Sequence, residues 1–289
     1  MKLAGYFFLF FSFLTANNVF SVDEESSFSA DKPFVIADIY GQLGNNLFQI
    51  ATAHALAWDN QAEAYFPDFA SPSVVYDHVF FRCKRYKPHE EIRFVWHEPS
   101  YAYHPIPFDK NMRINGYFQS EKYFAHHRNR LLELFEPYSE DLEYIQKKYS
   151  SLLVHPNTVG IQLRHYKSDP SLGDLYPQYG KDYLEKAVAY FPDSTLFVVT
   201  SDNMDFAKKS IPSSIKNVVF IENEPHYIAF YLLSFCKHQI ITNSSFGWWA
   251  AWLNRNPHKI IICPKKIING LPTDDFYPTS WIKIEAKYE

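Results

Sequence analysis

The chain has 289 residues, with 28 Lys+Arg against 32 Asp+Glu and a net charge of −4. That length suits one large domain or two modest ones, and the lack of any long basic run argues against a nucleic-acid partner. A hydrophobic fraction of 47% and a charged fraction of 21% are those of an ordinary globular protein. The aromatic fraction of 18%, with 21 Tyr and 26 Phe, fits either a sugar-handling surface or an aromatic core. Cys83, Cys236 and Cys263 are far apart, with neither metal-ligand spacing nor a disulfide framework.

At the N-terminus, Lys2 precedes an uncharged run rich in Phe and Leu, from Ala4 to Ala16. The run suits a signal-peptide core and falls short of the ~20 residues of a membrane span. Val19-Phe20-Ser21 offers a cut, and Asp23 to Ser27 reads as a polar linker. Residues 1–32 are therefore expected to be a cleaved signal or an uncleaved anchor, plus linker. The protein would be membrane-associated or exported through this segment, with a cytoplasmic face left open.

Pro33 to Ile39 is an apolar run that reads as a buried strand. Gly41 to Asn46 reads as a turn, and Leu47 to Trp58 has helical periodicity. Ala64 to Phe66 reads as a second strand, followed by an irregular region over 68–110. Met112 to Phe118 is strand-like, and Ser120 to Phe135 and Glu140 to Leu153 are helical. In the second half, strands are expected at Thr158 to Leu163, Leu196 to Thr200, Val218 to Ile221, Gln239 to Ile241 and Lys259 to Ile262. Helices are expected at Lys181 to Phe191, Met204 to Ser210, His226 to Lys237 and Phe246 to Asn254. The alternation predicts an α/β fold of mostly parallel sheets. Val154-His155-Pro156-Asn157 marks a boundary, giving domains 33–153 and 154–289.

Four stretches carry chemistry. Gly41 to Gln49 joins a strand to a helix like a dinucleotide loop, without the G-x-G-x-x-G spacing. Gly44 would let backbone approach a ligand, and Asn45 would cap the helix or bind a hydroxyl. Arg164 ends a buried strand, where ligands of doubly wound sheets bind, and its planar fork matches two phosphate oxygens. A surface ion pair is the alternative. Asp202 follows another strand and would accept from a base or ribose, or cap the helix that begins at Met204. Asn243-Ser244-Ser245 precede an aromatic helix and read as its N-cap, a site that favours an anion. No metal triad or D-x-D pair is apparent.

Together these stretches resemble glycosyltransferase family 11, the alpha-1,2-fucosyltransferases. Gly41-Gln42-Leu43-Gly44-Asn45-Asn46-Leu47-Phe48-Gln49-Ile50-Ala51 is similar to the family's G-x-L-G-N-Q-x-F-Q-Y-A block, with Asn46 where Gln is usual. Gly116-Tyr117-Phe118-Gln119-Ser120-Glu121-Lys122-Tyr123-Phe124 resembles its G-Y-[FW]-Q-S-E-K-Y-F block. Lys181-Asp182-Tyr183 with Lys186-Ala187 resembles its D-Y-Y-x-K-A helix start. Asn243 to Leu253 resembles its N-S-[ST]-F-S-W-W-A-A-[WY]-L block. The matches run in the family's order from Ala37 to Pro264. One block departs: for H-x-R-R-G-D-Y the chain has Gln162, Leu163, Arg164, His165, Tyr166, Lys167 and Ser168, with Asp169 beyond.

The resemblance implies a GT-B fold, two Rossmann-like domains facing a cleft. It implies a metal-independent inverting transfer of L-fucose from GDP-fucose to the 2-hydroxyl of a galactose-terminated glycan. No cofactor is expected. Arg164, His165 and Asp169 would be the catalytic group. Gln162, Arg164, Asp202, Asn203, Asn243, Ser244, Ser245, Phe246, Gly44 and Asn45 would hold the donor. Asp38, Glu121, His165 and Asp169 are candidates for the base that takes the acceptor's proton. The altered arginine block leaves two alternatives: another nucleotide-sugar donor, or a relative that binds without catalysis. Trp248, Trp249 and Trp252 are expected to pack their helix rather than form a sugar platform.

Overall fold

Apolar runs such as Phe34–Ala37 and Thr158–Leu163 are buried at every position, as in strands covered on both faces. The structure is a computed structural model that describes residues 32–67, 76–85, 90–168 and 170–288. Contacts divide the chain into Met1–Lys32 and Pro33–Glu289.

Strands β1 (Phe34–Ala37), β2 (Glu63–Tyr65), β3 (Phe94–His97) and β4 (Met112–Asn115) form a parallel sheet in the order β2-β1-β4-β3. Strands β5 (Thr158–Leu163), β6 (Leu196–Ser201), β7 (Val218–Phe220), β8 (His238–Ile241), β9 (Ile261–Pro264) and β10 (Ile282–Ile284) form a second, in the order β10-β9-β8-β5-β6-β7. Its pairs are parallel too, with Ile161 opposite Ile240 and Gln162 opposite Ile241. The helices of the first half are α1 (Leu43–Asp59), α2 (Asp77–Phe80), α3 (Arg128–Leu134), α4 (Ser139–Lys148) and α5 (Ser150–Leu153). Those of the second are α6 (Pro170–Gly173), α7 (Lys181–Val188), α8 (Met204–Ser210), α9 (His226–Phe235) and α10 (Ser245–Leu253).

Strands β5–β9 and helices α7–α10 follow the sequence pattern, with α6 and β10 unanticipated. The first half departs in several places, among them the break at Tyr149 of the helix expected from Glu140 to Leu153 into α4 and α5. The turn expected over 41–46 gives way at Leu43 to the first turn of α1, with Leu43 and Gly44 already buried. The region 68–110 contains β3, an edge strand whose Val95 and His97 face outward, so its four-residue alternation is too short to read. The single helix expected from Ser120 breaks into 3-10 turns at Glu121–Tyr123 and Ala125–His127 before α3. Phe124 sits at the break with φ −145° and stacks on Trp249, centroids 5.1 Å apart. Burial of that ring overrides the helical periodicity.

The aromatic richness is mainly core. Trp248 and Trp249 of α10 are fully buried, and Phe48 of α1 packs 4.5 and 5.2 Å from their rings. One buried cluster runs from Val35 in the first sheet to Trp281 near the end of the second. The three cysteines are free and buried, and burial pushes the Cys83 and Cys236 thiols up to about 12.

His54 lies in this core between Trp58 and Phe66, ring centroids 5.1 and 5.3 Å away. Burial, followed by repulsion from Arg130, pushes its pKa down from 6.5 to about 3. The folded state therefore refuses a proton that the unfolded chain accepts below 6.5. The stability that His54 contributes is full above pH 6.5 and is lost progressively on acidification towards pH 3. Each unit in that window costs about 1.4 kcal/mol. In thermal melts, the parent should lose about 2 kcal/mol more than His54→Leu between pH 6.5 and 5.

The expectation of membrane association or export through the N-terminus is corrected. Among the described residues no helix is long and apolar enough to cross a membrane. The longest, α1, has 17 residues and is largely buried in the core. The apolar run at 4–16, on which that expectation rested, lies outside the described residues.

Candidate active site

In chain order the strands of the second sheet lie 3-2-1-4-5-6, counting β5 as the first. In such a sheet the chain leaves the two central strands in opposite directions, which opens a ligand crevice at their carboxyl ends. Here those strands are β5 and β8. Arg164 follows β5, and Asn243-Ser244-Ser245 follow β8. In the first sheet the corresponding reversal falls between β1 and β4. Gly41 to Asn45 follow β1, and Tyr117 and Gln119 follow β4. Residues from both reversals line one cleft of about 670 Å³.

Helix α10 starts at the cleft. Ser244 is its N-cap residue, in extended conformation, but its hydroxyl makes no capping bond. Asn243 does not cap either: its Oδ1 accepts no hydrogen bond, while its amide nitrogen donates to Pro177 O at 3.1 Å and Ile267 O at 2.9 Å. The expected side-chain cap is thus absent, and the first turn of α10 begins at the cleft without one. Helix α1 also begins without a side-chain cap, after Gln42. Asn45 is not the expected cap, since its Oδ1 accepts from Gln119 Nε2 at 2.9 Å.

Gly41 has φ +82°, which tightens the entry to α1. Gly44 lines the cleft, and it also meets a packing need. A Cβ there would stand 2.5 Å from the Phe246 nitrogen and inside contact of the Ser245 carbonyl carbon. Its missing side chain lets the first turns of α1 and α10 touch. Gly44→Ala should therefore cost about 1–3 kcal/mol by overpacking. Thermal melts of the variant against the parent would report that loss.

Arg164 Nη1 is 3.0 Å from Asp202 Oδ2, and Asp202 Oδ1 accepts from the His165 N–H at 2.9 Å. The Arg164 backbone is held as well: its N–H donates to Thr242 Oγ1 at 3.3 Å, and its carbonyl accepts from Gln178 Nε2 at 2.9 Å. Asp202 therefore orients the guanidinium. The capping role considered for Asp202 belongs to Asn203, whose Oδ1 accepts from the Phe206 N–H at 2.9 Å in α8. Gln162 is buried at the cleft floor and accepts from the Thr242 hydroxyl at 3.2 Å. Gly247 lies over it, where a Cβ would come 2.8 Å from Gln162 Oε1.

The cleft thus brings together Gly44, Asn45, Gln162, Arg164, Asp202, Asn243, Ser244, Ser245 and Phe246. His165 and Asn203 are not among its lining residues. The His165 ring packs 4.6 Å from Phe206, with Nδ1 3.2 Å from the Asn203 amide. Asp169 lies outside the described residues. Asp38 is engaged by Arg113 at 3.2 Å and Asn115 at 2.6 Å. Glu121 accepts from Trp252 Nε1 at 3.1 Å, near the opposite end of α10. Neither carboxylate lines the cleft.

The sequence reading missed the tyrosines of the cleft. Tyr101 stacks parallel to Tyr117 at 6.1 Å, and Tyr166 on Tyr176 at 4.5 Å. Burial pushes the Tyr176 phenol up to about 12 and Tyr166 higher still, so both are neutral donors at ordinary pH. Phe118, fully buried, takes φ +53°, an unusual conformation for a bulky residue. It turns the chain so that Tyr117 and Gln119 both reach the cleft. Glu98 Oε2 holds that turn, accepting from the Tyr117 and Phe118 N–H groups at 2.7 and 3.0 Å. Burial outweighs these bonds and leaves the Glu98 carboxyl above its usual range. Glu222 and Glu224 also line the cleft and were not anticipated. Glu224 is tied to Lys148 and Tyr149, each at 2.5 Å.

The model of the family described as Glycosyl transferase family 11 matches residues 38–285. The alpha-1,2-colitosyltransferase of Escherichia coli is 26% identical over 288 residues, an alignment covering 87% of this chain and 99% of that protein. Galactoside alpha-(1,2)-fucosyltransferase 2 of Oryctolagus cuniculus is 31% identical over 243 residues, covering 74% of this chain and 65% of that protein. Among solved structures, a mutant of Arabidopsis thaliana FUT1 in complex with GDP superposes with a TM-score of 0.53 at 13% identity, over 87% of this chain and 76% of that one. That likeness bears on the fold alone, which is of the GT-B type. With the family model matching residues 38–285, most of the chain, the protein belongs to glycosyltransferase family 11 and is a fucosyltransferase-like transferase.

Proposed function

We propose that the protein transfers L-fucose from GDP-fucose, with inversion, to the 2-hydroxyl of a galactose-terminated glycan. The observation that carries this reading is the meeting of Arg164 with the uncapped first turn of α10 at the strand reversal of the second sheet. Charge gathers on the diphosphate as the sugar leaves. A fixed guanidinium and helix N–H groups aimed at one point stabilise that charge without reorganising. In this scheme the positive charge comes from the chain itself, so no metal cofactor is required. The cleft volume of about 670 Å³ lies within the range of sites for ligands of nucleotide-sugar size.

The acceptor enters from the first sheet in this reading. Its galactose lies against the Tyr101–Tyr117 pair, whose rings offer flat apolar faces, while Gln119 offers an amide. Tyr117→Ala should raise the acceptor KM about five-fold and leave the donor KM near the parent value, since one stacking contact is worth about 1 kcal/mol. Steady-state kinetics with each substrate varied in turn would show it.

A second reading, transfer of colitose in the same alpha-1,2 linkage, is favoured by the relative aligned over 99% of its length, which carries that activity in its name. Incubation of the purified chain with GDP-fucose and a galactoside, with product linkage read by NMR, tests the first reading. A donor carrying colitose in a parallel arm tests the second. GDP should stabilise the fold by about 2.7 kcal/mol at a hundred times its Kd. UDP stabilising it equally, with no turnover in either arm, would sink both.

A further inference from the structure

A cluster outside the cleft has the makings of a metal site. Asp59 is the last residue of α1, and His126 and His127 lie in the 3-10 turn that leads into α3. His126 Nε2 is 2.9 Å from Asp59 Oδ2, and His127 Nε2 is 2.7 Å from Asp59 Oδ1. The two imidazole centroids are 4.4 Å apart. Among the described residues these three form a group whose ligand atoms all lie within 4.8 Å of one another. The sequence could not show it, because Asp59 is 67 residues from His126.

We propose that Asp59, His126 and His127 bind a divalent transition-metal ion that ties the end of α1 to the turn before α3. Donors about 2.0–2.1 Å from one ion stand about 2.9 Å apart at right angles and about 3.3 Å apart in a tetrahedron. The nitrogen–oxygen separations of 2.7 and 2.9 Å therefore reach metal geometry with shifts of a few tenths of an ångström. Two imidazoles and one carboxylate select Zn²⁺, Ni²⁺ or Co²⁺ over Mg²⁺ and Ca²⁺, which prefer oxygen. The His127 ring is already fixed edge-on against Trp58, centroids 5.2 Å apart, and only 19% of its side chain is exposed. His126 and Asp59 are about half exposed, which leaves water access to the remaining coordination positions.

The site lies a whole helix away from the cleft, since 17 residues of α1 span about 25 Å. Its effect would be on the scaffold, because α1 carries the cleft's first-sheet loop at its other end. The simpler alternative is that the carboxylate only accepts hydrogen bonds from two imidazoles. Calorimetric titration of the tag-free chain with ZnCl₂ and NiCl₂, with MgCl₂ in parallel, separates the two. One Zn²⁺ or Ni²⁺ per chain is expected, with a rise in Tm that MgCl₂ does not produce. The buried cysteines do not compete for the ion in the folded state. His126→Gln, which alters an exposed side chain, should weaken binding about ten-fold or more and keep the parent Tm in EDTA. His127→Gln should do the same for affinity. Absence of stoichiometric Zn²⁺ or Ni²⁺ binding in the parent, or full affinity in both variants, would overturn the proposal.

Discussion

Arg164→Ala is expected to lower kcat/KM for sugar transfer by about 10²–10³-fold, roughly 3–4 kcal/mol of transition-state stabilisation. The loss is large because Arg164 is positioned before any ligand arrives. Asp202 holds one side of the guanidinium at 3.0 Å, and Thr242 and Gln178 hold the backbone. Arg164→Lys keeps the charge but not the fork, and should retain more activity than the alanine variant. Asp202→Asn should lose less than Arg164→Ala, since it loosens the guanidinium without removing it. Steady-state kinetics over the three variants would give that order. Parental turnover by Arg164→Ala would refute the phosphate role.

Trp248→Ala should destabilise the fold by about 3–5 kcal/mol, the cost of emptying a large core site. At this chain length each kcal/mol moves Tm by roughly 2–4 °C. Trp248 is fully buried against Phe48, and its Nε1 donates to Phe276 O at 2.7 Å. Trp249 is equally buried, but its Nε1 has no hydrogen-bond partner. Replacement by Phe should therefore cost more at Trp248 than at Trp249, by about the 1 kcal/mol of a buried hydrogen bond. Urea unfolding of the two variants would compare them directly.

The legible parts of the sequence were those with a period long enough to count or a cap with fixed chemistry. β5, β6 and β8 were expected from apolar runs, and Arg164 and Ser244 from their places just after two of them. The distinction between Asp202 and Asn203 was not legible, because both residue types cap helices. Only geometry shows that Asn203 bonds Phe206 while Asp202 faces Arg164. The close approach of Gly44 to α10 was not legible, because a glycine near a helix start serves a ligand, a neighbouring segment or both. Its neighbour, Ser245, is about two hundred residues away in sequence and adjacent in space. The tyrosine pairs were hidden for a related reason. Tyr117 and Tyr166 lie inside recognisable blocks, but nothing local shows that Tyr101 and Tyr176 meet them in the cleft.

The contact of α1 with α10 also limits how this protein can be recombined. The ring of Phe48 packs on the indole of Trp248, and the absent side chain of Gly44 leaves room for Ser245 and Phe246. A chimera that takes only its first half from a relative would inherit a mismatched seam, even if both halves were sound. Exchange of acceptor preference between such proteins should therefore succeed when α1 and α10 travel together as one inserted pair.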